Sequence, residues 1–480
     1  MRHSTATATD GRRDLARLLL ILAVPIAIMA MASFAAPVLN DGDTFWHIAA
    51  GRWIIAHREV PSVDPFSFTF AGRPWFAHEW LSELLLALAF RLAGWGAVML
   101  LVGLCIGAVA AIMARWLSSW LAPLSTVVAL VLGLGCVAPS LLARPQIICL
   151  PALALWSVAL LEARRRGRAP GLGLAPLMAL WANLHSSFIV GLGLVGVFAL
   201  EAALDAPGRR WRTLLAWGGF GAAALAAALV TPHGVEGLLF PLRVIGMKTL
   251  PSITEWRGPD FTRLEPMEIA LLGGAFALFW RGARLGAVRA ALLLLLVHLT
   301  LQHVRQELLL GVIAPLVVAE PLGRALGTAP APSWRPLSPR LRPLAALAGV
   351  LLAGVVAARL TMPMRRADAA TAPVNALAHV PAALRRQPVL NDYDFGGYLI
   401  FEGVAPYIDG RADMYGDAFV ADDTRIESAD PAALARAVRD YHIGWAILAP
   451  RRPLVGALAA DAGWRRLYAD RFAVVFEKLP

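Results

Sequence analysis

The sequence predicts a polytopic α-helical membrane protein of about 11 transmembrane helices that ends in a small α/β domain. Three observations predict it. Apolar runs near the ~20 residues needed to cross hydrocarbon recur along most of the chain. Of 480 residues, 58% are hydrophobic and 16% charged, against roughly 25% charged in an ordinary soluble protein. The arginines fall in short clusters between the apolar runs, so the net charge of +11 reads as membrane orientation and no nucleic acid partner is expected.

Taken in order, Arg12, Arg13 and Arg17 precede a run from Leu18 to Val38 that is long for a signal-peptide core. Residues 1–14 therefore read as a cytoplasmic tail and the run as a retained first span. Spans are expected at 15–37, 94–114, 121–140, 145–162, 170–184, 187–204, 213–230, 266–281, 286–301, 304–322 and 343–361. A transmembrane module then covers 15–322, with a first outward loop over 38–93. Within it, Glu79–Arg91 has the spacing of an amphipathic helix lying at the interface. Residues 323–342, rich in Pro and Arg, read as a cytoplasmic linker, and 343–361 as the last span. Residues 362–480 read as an extracytoplasmic α/β domain. Strands are expected at Tyr398–Phe401, Trp445–Leu448 and Phe472–Phe476. A helix is expected near Ala432–Tyr441, with Asp430 as cap and Pro431 at its first position.

With the N-terminus inside, the short cytoplasmic connections collect the arginines, and the short outward ones hold only Arg144 and Arg305. Two long outward loops depart from that bias, one with Arg52, Arg58 and Arg73, the other with Arg243, Lys248, Arg257 and Arg263. Either an anion is bound on that side, or the chain threads the membrane differently there. The Ala, Arg, Leu and Gly bias resembles a GC-rich bacterial genome, and the expected location is a bacterial inner membrane.

The unusual polar residues fall at outward helix ends: Asp41, Asp43 and His47; His78 and Glu79; Arg144 and Gln146; Asn183 and His185; His233; Glu255 and Arg257; His303 and Arg305. Singly, each reads as a cap, a snorkelling group or a satisfied interfacial residue. Jointly they predict one polar cavity facing outward, because ionisable groups at a membrane edge are costly to keep without a function. Asp41-Gly42-Asp43 has two readings. The pair forms a turn or N-cap, or one carboxylate is a general base while a second acid orients the acceptor or holds a divalent ion. Arg144, Arg257 and Arg305 clamp a phosphate, or they pair with headgroups, Glu255 or Asp260.

The aromatic series Phe45, Trp46, Trp53, Phe66, Phe68, Phe70, Trp75, Phe76 and Trp80 reads as an interfacial belt rather than a sugar platform. The histidines lack metal-ligand spacing, and Cys105, Cys136 and Cys149 lie in apolar runs as core residues. In the C-terminal domain, Asn391–Tyr398 and Tyr407–Asp413 read as solvated turns, with acceptor recognition as the alternative. No Walker loop, dinucleotide fingerprint or Ser-His-Asp signature supports ATP-driven transport or serine hydrolysis.

Paired first-loop acids, many spans and an outward C-terminal domain resemble the type-C (GT-C) membrane glycosyltransferases, among them protein mannosyltransferases and RgtA/B/C/D-like sugar transferases. The chain is more closely similar to bacterial membrane proteins whose first loop reads DxDTxWHIxxGxWI…VPxxDPFSFT…GxPWxxHEWLSE. Here that text runs from Asp41 through Trp46-His47, Trp53-Ile54, Val60-Pro61, Asp64–Thr69 and Pro74-Trp75 to His78–Glu83. Asn391–Tyr398 and Ile408–Asp413 belong to the same likeness. The resemblance implies an inverting transferase that moves a sugar from a polyprenyl-phosphate donor to an extracytoplasmic lipid, glycan or protein. Asp43, or failing it Asp41, would be the base. It implies no certain cofactor, a divalent cation being possible. Two rival functions are a transporter or lipid flippase, which predicts pseudo-symmetric halves, and a non-catalytic envelope assembly protein.

Overall fold

The computed structural model describes residues 15–249, 254–330 and 341–480. The tail 1–14 and positions 331–340 of the expected linker lie outside the described residues. Each of the eleven expected spans is helical. Six described helices are long and apolar enough to cross a membrane, namely Leu15–Phe34, Trp80–Leu117, Pro123–Ser140, Pro145–Arg165, Val304–Ala325 and Arg342–Thr361. There is a seventh if Phe188–Leu204 and Pro207–Ala228, bent by 109°, count as one broken span. These helices mark the chain as membrane-embedded. Leu172–Leu184, Pro266–Trp280 and Ala287–Gln302 are apolar but shorter. The 16 residues of Ala287–Gln302 rise only ~24 Å at 1.5 Å each, against a hydrocarbon thickness of ~30 Å.

Packing follows small residues and buried indoles. Gly103 and Gly107 on Trp80–Leu117 let the first helix approach closely, and a Cβ on Gly103 would collide with Ser33. Trp116 donates to the carbonyl of Leu316 at 2.9 Å, and Trp156 to that of Gly191 at 2.9 Å. Each ties two helices while satisfying a buried indole N–H. The last helix, Arg342–Thr361, lies at the periphery, with Leu347, Val350 and Leu351 exposed.

The first loop is largely helical. Asp43–His57 is a helix, closed by Arg58 in the left-handed region at φ 58°. Trp80–Leu117 is bent at Ala93–Gly94, where Gly94 takes φ 58°. Its first half is the expected amphipathic helix, but the buried face, with Ser82, Glu83, Leu86 and Ala87, packs on protein. Gly51 of Asp43–His57 abuts the backbone of Glu83 there. The aromatic belt is likewise corrected. Phe45 and Trp75 are buried, and Phe45 meets Trp95, Tyr398 and Phe401 edge-on at 5.2–5.5 Å.

The C-terminal region holds a four-stranded sheet of β1 (Val389–Asn391), β2 (Trp445–Leu448), β3 (Trp464–Ala469) and β4 (Val474–Lys478), in the order β1-β2-β4-β3. β1 and β2 are parallel, joined through helices Ala412–Glu427 and Pro431–Asp440, and the other pairs are antiparallel. Asp430 caps the second of those helices through the N–H groups of Ala432 and Ala433 at 2.9 Å. Tyr398–Phe401, expected as a strand, is helical within Gly396–Phe401. A four-residue apolar run has no period to separate the two states, and burial of Tyr398, Leu399 and Ile400 against the bundle decides it.

At the bundle end away from the sheet, Glu201 accepts from Arg164 at 2.8 Å and Arg289 at 2.7 Å. Arg289 also reaches Glu320 at 3.2 Å. One buried carboxylate thereby clasps three helices.

Candidate functional site

The acids of the first loop begin a helix, so their positions are fixed by its first turn. Asp41 accepts from the backbone N–H and hydroxyl of Thr44 at 3.2 and 3.1 Å. This is the capping geometry expected of a turn residue, yet Asp41 is only 3% exposed. Its other oxygen takes Nη2 of Arg144 at 2.5 Å, and the same nitrogen stands 3.0 Å from Asp43. Nη1 of Arg144 donates to Glu255 at 2.5 Å. Arg305 is 3.7 Å from Glu255 and lies 4.4 Å over the ring of Trp256. Three sequence-distant stretches thus meet at one guanidinium, and Arg305 joins them through Glu255.

The electrostatics separate the two aspartates. Burial raises both. For Asp41 the Arg144 contact outweighs it and holds the carboxyl below its ordinary value. For Asp43, burial prevails over Arg144 and is reinforced by the neighbouring Asp41, pushing the carboxyl up to about 6. Trp46 donates to Asp43 at 3.1 Å.

A second cluster adjoins the first, one helical turn on. His47, buried beneath the Trp46 ring, lies 3.9 Å from Glu79 and 3.7 Å from Glu83. Glu79 also faces His78 at 3.4 Å and His185 at 3.2 Å. Burial would raise Glu79, but the histidines hold it well below the usual carboxylate range. Burial would lower His78, but Glu79 brings it up to about 9. His185 is brought down to about 4 by burial, which Glu79 does not offset. Its Nδ1 accepts from the N–H of Ser187 at 3.0 Å, leaving Nε2 to donate to Glu79. Among the described residues no group of three or more His, Cys, Asp and Glu is arranged to hold a metal ion.

The remaining expected residues lie around this centre. Asn183 accepts from Trp80 and donates to the carbonyls of Ala179 and Val230, each at 2.8 Å, beside a shallow groove of about 480 Å³. His233 bonds the carbonyl of Ala77 at 3.2 Å and His303 that of Trp256 at 2.7 Å, so both anchor loops. Gln146 is half-buried next to Arg144, and Arg257 is exposed.

Three features were not read from the sequence. The C-terminal segments are not solvated turns. Asp409 and Arg411 are buried, and Arg411 binds Asp409 at 2.6 and 2.7 Å and Asp64 of the first loop at 2.7 Å. Asn391 and Asp392 are buried too. Asn391 accepts from the N–H of Tyr407 at 2.7 Å, and Asp392 accepts twice from Arg452. Gly410 and Gly397 pack directly on Asp43 and on the backbone of Gly42, so the sheet domain roofs the acid pair. Glu83 is the third feature; its spacing of four from Glu79 was the available signal.

No protein-family model matches the chain, and no curated protein matches it.

Proposed function

We propose that this protein is an inverting membrane glycosyltransferase that takes a sugar from a polyprenyl-phosphate donor and passes it to an extracytoplasmic lipid, glycan or protein. The observation that carries the proposal is the pair of unlike aspartates on one arginine. Asp41, held ionised, fixes Arg144, while Asp43, pushed up to about 6, has the basicity to take a hydroxyl proton near neutral pH. Two carboxyls driven apart by their surroundings are how one site supplies both a fixed charge and a base. Arg144 and Arg305 face Glu255 across the same space, and a phosphate leaving group would compete with that carboxylate for their forks. The phosphate departs already ionised, so the site must supply positive charge rather than a strong acid.

The associated topology is eleven spans with the N-terminus cytoplasmic, which puts Asp41, Asp43 and the sheet domain outside, in a bacterial inner membrane. The three shorter apolar helices and the bent pair would then be tilted or incomplete crossings. Convergence of Arg144, Glu255 and Arg305 at one bundle end supports that threading.

The test is comparative mass spectrometry of envelope glycans and glycolipids from cells carrying the wild type or Asp43→Asn. The variant inserts and folds but yields no product. Unchanged glycans with Asp43→Asn at normal abundance would remove Asp43 as the base, and unchanged glycans in cells lacking the protein would remove the proposal.

A further inference from the structure

Glu83 is a carboxyl on the half of Trp80–Leu117 that precedes the Ala93–Gly94 bend, 1% exposed, and its Oε2 has no hydrogen-bond partner among the described residues. The group facing it, Nδ1 of His47, is equally buried and also unpartnered, 3.7 Å from Oε1. Buried polar groups are normally paired, and a buried ionisable one without a partner is expensive. Two such groups facing each other without closing a bond are poor structural elements. At that separation a small rotation or one bridging water joins them.

Their placement relative to Asp43 is what gives the pair a use. Asp43 and His47 are four residues apart on one helix, hence on one face. Glu79 and Glu83 make the matching step on the facing chain, with His47 between them at 3.9 and 3.7 Å. Glu79 is already engaged by His78 and His185. Among the described residues Glu83 has no such partner besides His47.

We propose that His47 and Glu83 form a proton-accepting pair that clears Asp43 after each turnover, which rests on the transferase reading above. The acceptor oxygen bonds the anomeric carbon as its hydroxyl proton passes to Asp43. The carbon–oxygen bond to phosphate breaks, and its electron pair leaves with the phosphate. Asp43 then passes its proton through one intervening water to Nε2 of His47, and Nδ1, 3.7 Å from Glu83, releases one to that carboxylate. Asp43 is again a carboxylate, and Glu83 holds the proton until it exchanges with solvent. The charged groups facing Glu83 during this transfer are His47, Glu79 and His78.

The test has two independent arms on the full-length protein in liposomes. Dicyclohexylcarbodiimide forms a stable adduct with a carboxyl that carries a proton in apolar surroundings, and peptide mass mapping locates it. Glu83 is expected to be modified, with a yield that falls as pH rises, and His47→Gln is expected to move the midpoint by about one pH unit. In the second arm, Glu83→Gln lowers kcat ~10-fold or more with little change in KM and removes one ionisation from the pH profile. Glu83→Asp restores part of the rate. Absence of modification at every pH, or a Glu83→Gln enzyme with wild-type kcat and pH profile, overturns the pair. If the wild-type protein in liposomes transfers no sugar at all, the transferase reading fails instead, and the labelling arm still reports on Glu83.

Discussion

The carboxylate of Asp43 lies directly against the backbone of Gly410, so that a Cβ at position 410 would occupy the space of Oδ1. Gly410 is not among the residues with positive φ, so an alanine there meets no backbone strain and acts only through crowding. Gly410→Ala therefore displaces Asp43 from Arg144 and Trp46. Displacements near 1 Å at a reacting group cost up to ~100-fold in rate, and a loss of ~10–100-fold in glycan product is expected. Gly456→Ala is the control, because a Cβ there meets nothing within 4 Å. Equal product from both variants would show that the roof does not position the acid.

The sheet domain is fastened to the first loop by a buried cation. Arg411 is 1% exposed, bound to Asp409 and Asp64, and stacked 4.8 Å over Trp75. Replacing it with methionine leaves two carboxylates buried without their charge partner, a change that costs ~3–5 kcal/mol. Arg411→Met is expected to expose the 362–480 region to trypsin while the helix bundle stays inserted. Arg411→Lys keeps the charge but loses the fork, and falls between. Unchanged cleavage kinetics in Arg411→Met would show that the two parts are held by other contacts.

The histidines around Glu79 give stability a defined pH dependence. Glu79 raises His78 to about 9 in the folded protein, against ~6.5 unfolded. Its contribution is therefore full below the unfolded value and is lost as pH rises through 9. His185, brought down to about 4 by burial, acts in the opposite window. Between about 4 and 6.5 the unfolded chain binds the extra proton, so stability falls as pH drops. Thermal unfolding in detergent should peak near pH 6.5, with His78→Gln flattening the alkaline slope and His185→Gln the acid slope. A slope that survives its own substitution assigns that titration to another group.

Much of the centre was legible because charged residues at helix ends are rare in a membrane chain. Asp41, Asp43, Arg144, Glu255 and Arg305 stood out from apolar surroundings one by one, and positive-inside bias put them at one end. What was not legible depends on contacts between distant segments. Asp64 and Arg411 each look like ordinary turn residues, and only their pairing removes them from solvent. Glu83 hides in a leucine-rich helix that reads as interfacial. Its significance appears once Asp43–His57 is laid against it with Gly51 at the crossing. The aromatic belt failed for the same reason. Phe45 and Trp75 have the composition of interface anchors, but the sheet domain covers them, and composition carries no sign of that cover.

Glu201 allows stability to be separated from chemistry. Arg164 ends the helix that Arg144 begins, and its 21 residues span ~30 Å, so the Glu201 clasp sits at the far end from Asp43. Glu201→Gln leaves Arg164 and Arg289 short of a buried counter-charge. The loss is softened because Asp205 and Glu320 remain at 2.5 and 3.2 Å. A loss of ~1–3 kcal/mol is expected, the range for an impaired buried charged hydrogen bond, read as a lower unfolding temperature in detergent. Product per folded molecule should stay at the wild-type value, because no group near Arg144 changes. If Glu201→Gln instead abolishes transfer at normal abundance and stability, the two ends of the bundle are coupled, and the helices clasped by Glu201 move during turnover.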